Sequence, residues 1–137
     1  MVAQAGAKAI LGNFISTGNR FDKSIDGLVI KEIGSGLVVC ELTVEERHSN
    51  SYGTLHGGAT STIVDIVGTM AALTVDPLRP GVSVDMAISF LSAARVGDRV
   101  RIEGRCLRSG SKLAFTEVKV FQESGKLVAT GTHTKAL

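Results

Sequence analysis

Among 137 residues there are only two cysteines and two prolines, and Lys plus Arg exceed Asp plus Glu by fifteen to thirteen. Each shortage closes off a class of protein. Cys40 and Cys106 stand in apolar, alternating stretches without CxxC or CxxH spacing, which argues against a zinc site or a disulfide framework and for free thiols in a reducing compartment. The basic residues are scattered rather than blocked, so no nucleic-acid footprint is indicated, and only a weak attraction to small anions remains. No window approaches the roughly 20 apolar residues of a membrane span, and the opening MVAQAGAKAILGNF holds no apolar block of secretory length. An intracellular chain is expected, in the cytoplasm first and in a mitochondrion or peroxisome second. The terminal Lys135-Ala136-Leu137 does not match the SKL-type peroxisomal signal. Also missing are GxSxG, GxxxxGK[ST], GxGxxG after a strand and HExxH, which removes serine-triad hydrolysis, nucleotide hydrolysis and zinc proteolysis from the leading readings.

What is present organises into one domain over residues 1–137, with no repeat, linker or low-complexity segment. Ala7, Ile10, Leu11 and Phe14 have helical spacing, so a short leading helix is expected over 3–15. Ser24 to Ile33 and Leu37 to Glu46 alternate around Gly34-Ser35-Gly36 and read as a hairpin, followed by a loop from Arg47 to Leu55. Gly57 to about Val75 is the one long helical stretch, apolar around most of its circumference and stopped by Asp76-Pro77, as a helix enclosed by other structure should be. Four strands are then expected at Val82–Leu91, Arg99–Leu107, Leu113–Phe121 and Leu127–Lys135. In the second of these Val100, Ile102, Gly104 and Cys106 share one face and Arg99, Arg101, Glu103 and Arg105 the other. Turns this short cannot carry parallel crossovers, so the class is α+β, an antiparallel sheet wrapped around a long central helix.

Asp65 is the charged residue within that apolar helix, and a carboxylate there has to be hydrogen-bonded, protonated or employed. Ser61, Asp65, Gly68, Thr69 and Ala72 make a small, polar stripe that leaves space for a ligand or another backbone. Ahead of the helix, Asn50-Ser51-Tyr52-Gly53-Thr54-Leu55-His56-Gly57-Gly58 is rich in glycine and hydrogen-bonding groups. The Gly57 amide at the helix N-terminus is a ready oxyanion donor, or a plain glycine cap. His56 is able to orient a neighbour, assist a leaving thiolate or cap the helix. Ser83 either holds a water or bonds to backbone. His48 and His133 lack comparable company and read as surface or strand residues.

Together, the Asn50–Gly58 segment, Asp65 eight positions after Gly57, and Gly81-Val82-Ser83-Val84-Asp85-Met86 resemble the hotdog-fold acyl-CoA thioesterases of the thioesterase-superfamily-member-two type, relatives of the phenylacetyl-CoA pathway thioesterases. The similarity runs over nearly the whole chain. One departure is Ala93-Ala94, where relatives commonly carry a proline. The resemblance implies a hotdog fold, dimers whose sheets join and whose sites are shared, and dimers stacked into homotetramers. It also implies hydrolysis of a fatty (medium- or long-chain) or aromatic acyl-CoA, with no cofactor and no metal, coenzyme A being part of the substrate. Asp65 would be general base or nucleophile, Gly57 the donor to the thioester carbonyl and Asn50 a contact to substrate or water, the last two from the opposite subunit. His56 would support them and Ser83 would place the water. Gly58, Tyr52, Arg95, Arg108 and Lys112 are the candidate substrate contacts, and Arg99, Arg101 and Arg105 are further candidates for the CoA phosphates. A non-catalytic acyl-CoA binder and a hotdog enoyl-thioester hydratase or dehydratase are the competing readings.

Overall fold

The computed structural model describes residues 19–137, so the leading helix expected over 3–15 lies outside the described residues. Helix α1, Gly57–Leu73, is an improbable helix by local preference, since three glycines and seven β-branched residues make up most of its seventeen positions. Burial sustains it instead: twelve of the seventeen residues are buried, and packing of that kind outweighs propensity in most protein helices. Three of its four hydroxyls donate back within the helix, Ser61 Oγ to Gly57 O, Thr62 Oγ1 to Gly58 O and Thr69 Oγ1 to Asp65 O. Thr74 closes it two residues short of the expected Val75, because its hydroxyl donates to Ala71 O and accepts Gly36 N–H.

Six strands surround one side of α1: β1 Val29–Gly34, β2 Leu37–Thr43, β3 Val82–Phe90, β4 Arg99–Ser109, β5 Leu113–Gln122 and β6 Leu127–Ala136. Their order is β1-β2-β4-β5-β6-β3, every neighbouring pair antiparallel. This is the expected wrapped sheet. The first strand starts later than expected, at Val29, because Phe21–Ile25 is a 3-10 turn and Gly27 takes a positive φ of 101°. The expected loop after β2 opens with another such turn, Glu46–His48.

Period-two alternation delivers Val100, Ile102 and Gly104 of β4 and Val118 and Val120 of β5 to the helix side. Two of the sheet's glycines let α1 come close. A Cβ on Gly104 would sit 2.9 Å from Val67 O, and one on Gly131 would sit 2.9 Å from Val64 Cγ1. Because the Cβ would also sit 2.7 Å from Val67 Cγ1, and the Val67 carbonyl behind it is helix backbone that cannot swing aside, Gly104→Ala is expected to lower stability by about 1–3 kcal/mol, the usual range for overpacking. A urea midpoint equal to wild type would show that the helix has room to retreat.

Candidate functional site

Asp65 lies in the middle of α1 with its side chain 47% exposed, and the inner face of β6 runs beside it. Two residues of that strand meet two of the helix. His133 Nε2 is 3.9 Å from Asp65 Oδ1, and Lys135 Nζ donates to Thr69 Oγ1 at 2.7 Å, one helical turn further on. Ser83 of β3 completes the group, its Oγ 2.7 Å from His133 Nε2. Register explains the meeting: Ser83 pairs with Lys135 across the β3–β6 ladder, and a bulge between Ser83 and Asp85 turns Ser83 toward the helix side.

His133 is fully buried, and its Nδ1 has no hydrogen-bond partner among the described residues. Burial pushes the imidazole below its ordinary range; Asp65 pulls it back, and Lys135 pushes it down again. A neutral ring follows. With a carboxylate and a hydroxyl both near Nε2, the proton belongs on Nε2, leaving a bare acceptor rather than a stranded donor at Nδ1. Nε2–H then donates to Ser83 Oγ and frees the serine hydroxyl to act on a ligand or water.

The second group lies at the N-terminus of α1. Asn50 Oδ1 accepts the Tyr52 and Thr54 amides at 2.9 and 3.2 Å, so within one chain it organises the loop. His56 caps the helix, its Nδ1 accepting Gly58 N–H at 2.8 Å. The Gly58 amide is therefore engaged, whereas Gly57 is half-exposed beside the ring of Phe90, and its amide, which meets no acceptor among the described residues, retains its role as a candidate donor. Gly57 and Asp65 are eight residues apart on one helix, about 12 Å along its axis, so one chain does not bring them to a common atom.

The remaining candidates are dispersed. Tyr52 is exposed on the loop, and Arg95 bridges to Thr54 beside it. Arg108 and Lys112 lie at the far end of the β4–β5 hairpin, about 30 Å away by strand rise. Arg99 and Arg101 are ion-paired to Glu123 and Glu103, and Arg105 faces Glu117 across β5, as members of a wet strand face. Of the two histidines set aside from the sequence, His133 is a strand residue as expected, but neither lacks company. His48 is 1% exposed, accepting Glu45 N–H at Nδ1 with Nε2 on Asp26 O, and His133 belongs to the Asp65 group. Lys135, expected only as a strand end, is 5% exposed. Among the described residues no group of three or more His, Cys, Asp or Glu is placed to hold a metal ion, and no helix is long and apolar enough to cross a membrane.

Residues 52–129 match the Thioesterase superfamily. Acyl-coenzyme A thioesterase 13 of Homo sapiens is 44% identical over 118 residues, spanning 85% of this chain and 84% of that one. The crystal structure of zebra fish thioesterase superfamily member 2 superposes with a TM-score of 0.92 at 39% identity, covering 100% of this chain and 99% of its own. The Mus musculus thioesterase superfamily member 2 structure gives 0.89 at 36% identity, with coverage of 100% and 99%.

A neutral His133 fixes a sign for stability against pH. The unfolded imidazole takes up its proton near the ordinary value of 6.5, the folded one only at lower pH. Stability should therefore fall as pH drops below about 6.5. Wild type is expected to lose more melting temperature between pH 7 and pH 5 than His133→Gln, which keeps a hydrogen-bonding group but does not titrate. Parallel curves for the two proteins would contradict a buried neutral ring.

Proposed function

The chain belongs to the thioesterase superfamily, and on that premise we propose that it hydrolyses a fatty or aromatic acyl-CoA at sites each built by two copies of the chain. The observation carrying this reading is the separation of Gly57 from Asp65. A donor about 12 Å from the base cannot serve the same carbonyl, and β3 offers the means to unite them. It is an edge strand whose Val82, Val84 and Phe90 are all exposed, a surface that invites pairing with another strand. Ser83 near its start marks the Asp65 end, and Phe90 at its finish lies beside Gly57, its ring 3.6 Å from where a Cβ there would stand. Antiparallel pairing of β3 with a second β3 exchanges these ends, carrying each Gly57 toward the partner's Asp65.

In such a site the Gly57 amide, pointing out of the helix N-terminus, accepts the growing charge on the thioester oxygen. Asn50, with an Nδ2 proton beyond the one given to Thr54, stands on the same loop to hold substrate or water. Asp65 takes the proton of an attacking water placed by Ser83, or attacks the carbonyl itself to give a mixed anhydride that this water then hydrolyses. Ser83 is in turn oriented by His133. The C–S bond breaks, coenzyme A leaves as the thiolate and is reprotonated, and the free acid departs. Coenzyme A leaves readily enough that no further acid is required.

Thiol release from a panel of short, medium, long and aromatic acyl-CoAs tests the activity, with Asp65→Asn expected to lose at least a hundredfold. Sharing is tested by mixing inactive Asp65→Asn with inactive Asn50→Ala under conditions that exchange subunits. Random pairing restores about a quarter of wild-type activity, since half the dimers are mixed and each has one intact site. Recovery of none would confine each site to one chain, while binding without thiol release in wild type would favour a non-catalytic acyl-CoA protein.

A further inference from the structure

Thr54 touches the Asn50 amide with its side chain, and the reaction described above gives it no part. It meets both ends of that amide: Thr54 Oγ1 accepts from Asn50 Nδ2 at 3.0 Å and donates to Asn50 Oδ1 at 3.1 Å. The last torsion of an Asn side chain is soft, so an Asn that serves a reaction needs its oxygen and nitrogen held apart by their neighbours. Here the amides of Tyr52 and Thr54 both point at one atom, which is therefore the oxygen. Those two amides hold Oδ1 as a point but leave the amide plane able to pivot about it. Thr54 Oγ1 is the group that holds Nδ2. It engages one of the two Nδ2 protons, and Oδ1 already accepts from two amides and the threonine hydroxyl. The Asn50 side chain thus meets a ligand only as a donor, through the proton left over.

We propose that Thr54 is a positioning residue of the reaction centre, its hydroxyl fixing the plane of the Asn50 amide so that one Nδ2 proton is presented to substrate or water. The proposal rests on the reading of Asn50 as a contact to one of these. Thr54 is suited to the task because it is itself fixed from behind. Leu55 N–H donates to Ala94 O at 2.7 Å and Val96 N–H to Gly53 O at 3.0 Å, with Thr54 paired to Arg95 between them, so residues 53–55 and 94–96 form a short antiparallel ladder. Leu55, next along the chain, is buried in the core. Side chains alternate along such a segment, and with Leu55 taken inward the Thr54 hydroxyl turns the other way, to Asn50. The main chains close the arrangement, Asn50 N–H donating to Thr54 O at 2.9 Å. Other polar groups of the loop are occupied differently: Ser49 Oγ donates to Glu46 O, and the Tyr52 side chain is exposed. Removing the hydroxyl leaves the two amides on Oδ1 and the ladder behind Thr54 in place. The loop then keeps its shape while Nδ2 loses its fixed direction, which separates positioning from folding.

The test compares kcat, KM and melting temperature for Thr54→Val, Thr54→Ser, Asn50→Ala and wild type, with the best acyl-CoA of the panel and loss of the thioester absorbance as the signal. Thr54→Val keeps the shape of the side chain without its hydroxyl; Thr54→Ser keeps the hydroxyl without the methyl. Thr54→Val should lower kcat about tenfold with KM changed less than about twofold, as for a contact made in the transition state whose donor has lost its aim. Thr54→Ser should recover kcat to within about threefold of wild type. Both should melt within about 3 °C of wild type, whereas a merely structural threonine would lower the melting temperature and leave kcat of the folded enzyme alone. Wild-type kcat in Thr54→Val, an equal loss in Thr54→Ser, or a change confined to KM would each overturn the proposal. If Thr54→Val does not fold, Thr54→Ala takes its place in the same comparison, and failure of both to fold would make the hydroxyl a structural group. Asn50→Ala separates the two levels, because full activity there would remove the role of Asn50 and the proposal with it, whereas its inactivity beside wild-type kcat in Thr54→Val would remove only the role of Thr54.

Discussion

The contact between α1 and the glycine-lined inner face of the sheet is the constraint on which everything else depends. Val64 and Val67 reach Gly131 and Gly104, and Gly68 lies over Thr116, where a Cβ would come within 2.7 Å of the hydroxyl. A helix with so little intrinsic preference for its conformation exists because it is held there. The same contact fixes which residues of β6 look inward. Slipping that strand by one position would present Thr132 and Thr134 to the helix and send His133 and Lys135 to solvent, dissolving both pairs that Asp65 and Thr69 make. Core packing and the arrangement of polar groups are thus one geometric fact.

The second constraint is the unfinished edge. In the order β1-β2-β4-β5-β6-β3 the last strand has a single neighbour, and its apolar side chains are left uncovered. Edge strands are usually protected by charge, proline or shortness; β3 is nine residues long, with Asp85 as its only charge and no proline. The chemistry is incomplete in the same direction as the sheet. The oxyanion donor stands at one end of β3 and the carboxylate at the other, so an operation that reverses the strand direction completes both together.

Much of this was legible in the sequence, for identifiable reasons. The apolar circumference of Gly57 to Val75 gave away an enclosed helix, and strict alternation in Val100, Ile102 and Gly104 gave away a half-buried strand. Asp65 was conspicuous because a lone charge in such a helix demands an explanation. His133 and Lys135 escaped because β6 alternates Thr130, Thr132 and Thr134 against Gly131, His133 and Lys135. Neither set is apolar, so period two cannot say which faces the helix; only the glycine, read as a point of close approach, marked the inner face. His48 escaped for a different reason: its burial depends on Asp26, which is distant in sequence and meets it only through the folding of two 3-10 turns. The dispersal of Arg95, Arg108 and Lys112 was likewise invisible, because charge counting carries no distance.

Polar burial is not spread evenly through this protein. Among the described residues, apart from His48 and the threonines of α1, the buried polar side chains are Thr116, His133 and Lys135, and all three lie against the stripe of α1 that carries Asp65, Gly68 and Thr69. The rest of the core, from Ile25 through Val38, Leu42 and Ile63 to Ile102, is aliphatic. An aliphatic core provides the surplus against which an unpartnered Nδ1 and a desolvated ammonium are tolerated. Concentrating those unfavourable groups along one strip also gives them a common field: a carboxylate, a neutral imidazole and an ammonium, spaced by one helical turn and by two residues of a strand. The burial that lowers the affinity of both His133 and Lys135 for a proton is therefore concentrated in the strip that carries the candidate site.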